Sequence, residues 1–230
     1  MLKREIKITQ DGSKTLFLEA WNESYHSKHG ALQEAEHVFI ENGLNNFKDS
    51  NHIQVLEYGL GTGLNALLTS IWSNAQAKKV QYTSLEKYPL TSDEVMAMDF
   101  HQIISQKHKE LKAGTIYIDL LKIHESHWHE NIKIHDFFDL LKLQIDFKEV
   151  NLMADTYDIV YFDVFGKRVQ PELWSEDIFM KIYKYLQPNG LLTTYASNSH
   201  TRRALEACGF VVEKLKGPPG KREMLNAWKK

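Results

Sequence analysis

The sequence predicts an α/β fold, a doubly wound and mostly parallel sheet, from three observations. Short apolar runs of strand character alternate with stretches of helical spacing, a glycine-rich turn joins one buried strand to the helix after it, and the chain closes on a strand pair.

Taking the elements in order, residues 15–21 form the first strand-like run, and the polar, turn-rich residues 22–30 follow it. Residues 53–58 (Ile-Gln-Val-Leu-Glu-Tyr) read as a buried strand. After Gly63, the side chains of Leu64, Leu67, Leu68, Ile71 and Trp72 recur at helical spacing. Residues 80–85 are a second strand ending on Glu86, and Thr91-Ser-Asp-Glu94 starts a helix. Residues 93–112 read as helical, with a basic, histidine-bearing face, and 114–121 as an additional strand. Residues 132–134, leading to Asp136, make the third sheet strand. Residues 158–162, leading to Asp163, make the fourth, an almost continuous apolar run.

Ile178, Phe179, Ile182, Tyr183 and Leu186 mark an amphipathic helix that Pro188-Asn189-Gly190 stops. Residues 191–196 are the fifth strand, 201–208 a helix ended by Gly209, and 210–215 with 224–228 a final pair that contributes one antiparallel strand. The expected organisation is an N-terminal extension, 1–52, packed on a domain of residues 53–230.

With 43% hydrophobic and 25% charged residues, the chain has the composition of a self-folding globular protein. Its single cysteine, Cys208, excludes an intrachain disulfide and any zinc site of several thiolates. No apolar run approaches the ~18 residues of a membrane span, and the first fifteen residues lack the apolar middle of a secretory signal. The expected location is the cytoplasm, away from membranes. The net charge of −2 argues against indiscriminate nucleic-acid binding. It conceals an asymmetry, because residues 200–230 carry eight Lys and Arg against three Glu.

The run Glu57-Tyr-Gly59-Leu-Gly61-Thr-Gly63 lies where a sheet leaves a crevice for a ligand, and its glycines let backbone approach that ligand. The last glycine comes one residue early for a dinucleotide fingerprint, which points to a methyl-donor site. Glu86, 23 residues beyond Gly63, suits ribose hydroxyls, and Asp136 suits the adenine amino group. Asp163, at a strand's carboxyl end, suits an amine or a neighbouring sulfonium. For all three acids the competing reading is an ordinary strand-end or turn residue. His124, His127 and His129 lack a matching carboxylate or cysteine pattern, so no metal is expected.

Four stretches carry a resemblance: Tyr25-His-Ser-Lys-His-Gly30 through Glu36-His-Val-Phe39; Glu57 through Asn65; Tyr161-Phe-Asp-Val-Phe165 with Pro171-Glu-Leu-Trp174; and Lys216-Gly-Pro-Pro-Gly-Lys-Arg-Glu-Met-Leu225. From about Trp21 to Trp228 the chain resembles the methyltransferase domain of the bacterial enzymes that complete 5-methylaminomethyl-2-thiouridine at the wobble position of tRNA. Only the second stretch is general to S-adenosylmethionine-dependent methyltransferases of this Rossmann-like class. The chain departs from that family's Asp-Gly-Phe-Ala-Pro after the fourth strand, reading Asp163-Val-Phe165-Gly-Lys-Arg168.

The resemblance implies methyl transfer from S-adenosyl-L-methionine to the aminomethyl nitrogen of the wobble uridine, with the tRNA anticodon stem-loop as partner. The length matches the family's stand-alone form, so no FAD is expected, and the preceding demodification falls to a separate protein or is not needed. Glu57, Gly59, Gly61, Gly63, Glu86, Asp136, Asp163 and Tyr25 are the expected cofactor residues, and Asp163 the proton acceptor. Phe165, together with Tyr25 and Trp174, offers a stacking face for the base, with core packing as the alternative and the preferred reading of Trp174. Lys221 and Arg222 are expected at RNA phosphates. Three other readings stay open: a methyltransferase with a small-molecule or protein acceptor, a non-catalytic RNA-binding module, and, disfavoured by the glycine spacing, a nicotinamide oxidoreductase.

Overall fold

The computed structural model describes residues 3–230, so the first two residues of the expected extension lie outside the described residues. The chain opens with a small antiparallel sheet of β1 (Arg4–Ile8), β2 (Lys14–Leu18) and β3 (Glu23–Ser24). Residue 15 thus falls in a strand as expected, but that strand stops at Leu18 and residues 19–21 turn as 3-10 helix. Helix α1 (Ala31–Ala35) then runs into a π-helical segment, Glu36–Glu41.

The main sheet begins with β4 (His52–Tyr58), α2 (Leu64–Gln76) and β5 (Lys79–Glu86). After it come α3 (Ser92–Met96), α4 (Phe100–Lys107) and α5 (Ala113–Glu125). The helix-start signal at Thr91 is a complete capping box. Thr91 Oγ1 accepts the Glu94 N–H at 3.3 Å, and the Glu94 carboxylate accepts the Thr91 N–H at 2.9 Å. The single helix expected over 93–112 is broken at Asp99, whose φ of +54° leaves the right-handed helical region. Residues 114–121 are helix, not strand. Ile116, Leu120 and Ile123 recur at helical spacing and are buried against the sheet's helix layer.

The remaining elements are β6 (Asn131–His135), β7 (Phe138–Gln144), β8 (Tyr157–Phe162), α6 (Glu176–Tyr185), β9 (Leu186–Thr194), α7 (Ser199–Ala207), β10 (Phe210–Lys216) and β11 (Glu223–Lys229). Their spatial order is β10-β11-β9-β8-β4-β5-β7-β6, with β4, β5, β7, β8 and β9 parallel. β11 is antiparallel to both its neighbours, as expected of the final pair. The third parallel strand, however, is β7. The segment expected in that place, β6, is its antiparallel edge partner.

Period-two alternation divides the core between the two faces of the sheet. Val55, Ile159 and Tyr161 face the layer of α2 and α5, whereas Leu56, Tyr58, Val160 and Phe162 face α6 and α7. Burial on both faces is why these strands read as continuous apolar runs. Among the described residues no helix is long and apolar enough to cross a membrane.

Candidate active site

A cavity of about 640 Å³ opens at the carboxyl ends of β4, β5, β7 and β8, the rim where an open parallel sheet places its ligands. Its lining falls into two halves that meet at Gly59 and Asp163. On one side lie the glycine turn, Glu86, Tyr88, Asp146 and Phe147. On the other lie Glu34, Phe165, Tyr195 and Lys221, and the Tyr25 ring stands between the two sides, over Gly61 and edge-on to Phe165.

The turn after β4 has φ of +95° at Gly59 and +49° at Gly61, so the chain reverses in the left-handed region. A Cβ on Gly61 would stand 3.3 Å from the Tyr25 ring, which closes over the turn. The Gly61 N–H donates to Glu86 Oε2 at 3.0 Å, and the Tyr88 N–H to Glu86 Oε1 at 2.8 Å. These two bonds fix the Glu86 carboxylate at the cavity wall. Burial raises its pKa, and the backbone donors oppose that shift.

Three residues expected at the cofactor, Glu57, Gly63 and Asp136, do not border the cavity. Glu57 is fully buried behind the turn, where Ser84 Oγ donates to its Oε2 at 2.6 Å and Oε1 has no partner. Burial, with the like charge of Asp163 adding to it, pushes the Glu57 carboxyl up to about 8. The bare Gly63 makes room for the His124 imidazole, which a Cβ there would overlap, and His124 Nε2–H donates to the Thr62 carbonyl at 3.0 Å. His124 thus supports the turn. Among the described residues no three His, Cys, Asp or Glu stand together as a metal site.

Asp136 is a clear correction. It occupies the exposed turn between β6 and β7 at the amino-terminal rim, where its carbonyl accepts from Lys79 at the start of β5 and its carboxylate pairs with Lys133 at 2.6 Å. A parallel strand presents its last residue, not its first, to the ligand rim. The acid that reaches the cavity from this part of the sheet is therefore Asp146, just past β7.

Asp163 sits at the end of β8, where Asn65 Nδ2–H donates to its Oδ2 at 2.8 Å. Burial raises its carboxyl to about 7 against the Asn65 bond, and Glu34 adds in the same direction. The Phe165 ring meets Tyr25 edge-on at 4.9 Å and Trp21 at 5.4 Å. Trp174 is a core residue whose Nε1–H donates to the Phe165 carbonyl at 2.9 Å.

Lys221 lies in the cavity wall and pairs with Glu34 of α1, so its ammonium is engaged inside the site and not held out to solvent. Arg222 is exposed and outside the cavity. Arg168 bonds the Trp21 and Asn22 carbonyls and Glu23.

Reading the sequence missed Asn65, Asp146, Phe147, Glu34 and Tyr195. The short, apolar-rich run Phe138-Asp-Leu-Leu-Lys-Leu-Gln144 has strand character that points to β7 and hence to Asp146, although Leu141 and Lys142 break a strict period of two. Glu34 has no such local signal.

The chain is similar to several known proteins. A family described as S-adenosyl-L-methionine-dependent methyltransferase matches residues 99–230. The tRNA 5-methylaminomethyl-2-thiouridine biosynthesis bifunctional protein MnmC of Burkholderia thailandensis is 29% identical over 94% of this chain, which spans about a third (33%) of that relative's length. An uncharacterized protein of Methanocaldococcus jannaschii is 30% identical over 96% of this chain and 58% of its own. The crystal structure of MNMC2 from Aquifex aeolicus superposes with a TM-score of 0.74 at 25% identity, covering 100% of this chain and 72% of that one. The chain belongs to the S-adenosyl-L-methionine-dependent methyltransferase family.

Proposed function

We propose that this enzyme methylates the aminomethyl nitrogen of 5-aminomethyl-2-thiouridine at the tRNA wobble position, giving 5-methylaminomethyl-2-thiouridine. The observation that carries the reading is the makeup of the cavity's second half, where two carboxylates, Asp163 and Glu34, share a wall with the rings of Tyr25, Phe165 and Tyr195. Such a lining suits a flat base that bears a cationic alkylamine. The name of the Burkholderia relative and the family resemblance point to the same acceptor.

The first half fits S-adenosyl-L-methionine. Bare backbone at Gly59 and Gly61 leaves space for the amino-acid end, Glu86 presents a fixed carboxylate to ribose hydroxyls, and Tyr88, Asp146 and Phe147 would surround the adenine. When bound, the cofactor supplies a methyl carbon already activated by its sulfonium.

What remains for the protein is alignment, exclusion of water and one proton. An alkylamine with a pKa near ~10 is mostly ammonium at neutral pH. Asp163, held near 7 and oriented by Asn65, takes that proton as the nitrogen becomes a nucleophile. Methyl transfer itself asks for no flavin, and the expected setting is the cytoplasm.

The test is to incubate the purified enzyme with S-adenosylmethionine and tRNA carrying the aminomethyl nucleoside, then digest and weigh the nucleosides. The wobble nucleoside should gain one methyl group. A nucleoside that stays unmethylated while another amine in a cell extract is labelled would replace the tRNA with a small-molecule or protein acceptor.

A further inference from the structure

The Lys221 ammonium lies 4.0 Å from the centroid of the Tyr195 ring while also contacting Glu34. Both of those partners are fixed by bonds of their own. Glu34, 9% exposed, accepts the Ser27 N–H on its other oxygen at 3.0 Å, and the Tyr195 hydroxyl donates to the Val164 carbonyl at 2.8 Å. Lys221, by contrast, reaches in on a long rotatable stem from the turn between β10 and β11, with 31% of its side chain exposed. A rigid carboxylate and a rigid aromatic face therefore hold the end of a flexible primary alkylammonium.

A carboxylate beside an aromatic face is a general recognition site for alkylammonium ions. The acceptor proposed above presents the same chemical group, and this inference rests on that reading. We infer that Glu34 and Tyr195 form the ammonium-recognition site for the methyl acceptor, and that Lys221 fills it as an internal surrogate which the acceptor displaces.

The arrangement has three consequences. Without an acceptor, Lys221 keeps the Glu34 charge from being buried unpaired, which is a costly state. A neutral acceptor, such as a hydroxymethyl group, cannot replace the ammonium it would have to expel, so the site discriminates by charge. Self-occupation also lowers the apparent affinity for any external ammonium by the fraction of time the site stands open.

The experiment is calorimetric titration with n-butylammonium, and with n-butanol as its neutral counterpart, of the wild type, Lys221→Met, and the double variant Lys221→Met with Glu34→Gln. Lys221→Met should bind n-butylammonium about tenfold more tightly than the wild type. The double variant should lose that gain, and n-butanol should not distinguish the three proteins. Equal n-butylammonium affinity in the wild type and Lys221→Met, or a gain that survives in the double variant, overturns the inference.

A second measurement needs no variant. In the wild-type enzyme the Lys221 Cε resonance, shifted by the Tyr195 ring, should move to its solvent-exposed value at saturating n-butylammonium. A resonance that stays in place while the probe binds overturns the inference equally. Neither readout uses tRNA or methyl transfer, so an enzyme inactive on tRNA would sink the proposed function and leave this result readable.

Discussion

The two halves of the cavity are built in different ways. In the half proposed to hold the donor, Gly59, Gly61 and Glu86 come from consecutive β-α-β elements, and the turn and the acid are joined by a bond from the Gly61 N–H to Glu86. In the half proposed for the acceptor, Glu34 comes from the N-terminal segment, Asp163 from the middle of the sheet, and Tyr195 and Lys221 from near the end. The pair Glu34 and Lys221 spans 187 residues of sequence. On the proposed reading, a cofactor common to a whole family is held by one local unit, whereas an acceptor particular to one reaction is held by elements that only the complete fold brings together.

The sharpest way to separate the halves is Asp163→Asn. Methyl transfer at saturating substrates should fall by about 10²–10⁴, the range for loss of a positioned proton acceptor, with S-adenosylmethionine affinity nearly unchanged. Rapid-quench rates and calorimetry would check this. A collapse of cofactor affinity with the rate preserved would move Asp163 into the donor half. In the wild type, activity should rise with pH through an inflection at or below about 7, because the carboxylate must be ionised to accept and the cofactor's positive charge favours ionisation.

Glu86→Ala should give the reverse pattern. Loss of a charged hydrogen-bonding group, on the order of 1.5–3 kcal/mol, corresponds to roughly 10- to 100-fold weaker cofactor binding. Acceptor affinity should hold. If acceptor affinity falls in step, the halves are not independent.

A smaller effect is expected from Glu57→Gln, which tests the layer behind the turn. The Glu57 carboxyl is raised by burial from 4.5 to about 8, so its favourable neutral burial is complete below pH 4.5 and is lost as pH rises through about 8. The glutamine variant keeps a neutral side chain throughout. Thermal melts should therefore show the variant gaining on the wild type as pH increases across that window, and parallel curves would refute a buried neutral acid.

The smallest effect should come from Asp136→Asn, with cofactor affinity and melting temperature both unchanged. Any clear loss of cofactor binding would bring the amino-terminal rim of the sheet into the site.

How much of this was legible in the sequence follows the same division. The strand, turn and helix around Gly59, the capping box at Thr91 and the acid at Glu86 are local patterns, written within a few residues of each other. Asp136 misled because residues 132–134 do form a strand; strand character says nothing about direction, and direction decides which end meets the ligand. Gly63 is a glycine of the motif, yet the group it accommodates, His124, arrives from α5.

The sequence by itself determined the α/β class, the β4, β5, β8 and β9 segments of the parallel sheet, the glycine turn, and Asp163 at the carboxyl end of β8, since side-chain period and turn chemistry act over short stretches of chain. Only the tertiary structure decided that Asp146 and not Asp136 borders the cavity, that Glu57 and Gly63 stand behind it, and that Lys221 meets Glu34 over Tyr195. Those outcomes depend on strand order and on packing between distant segments, which no local pattern encodes.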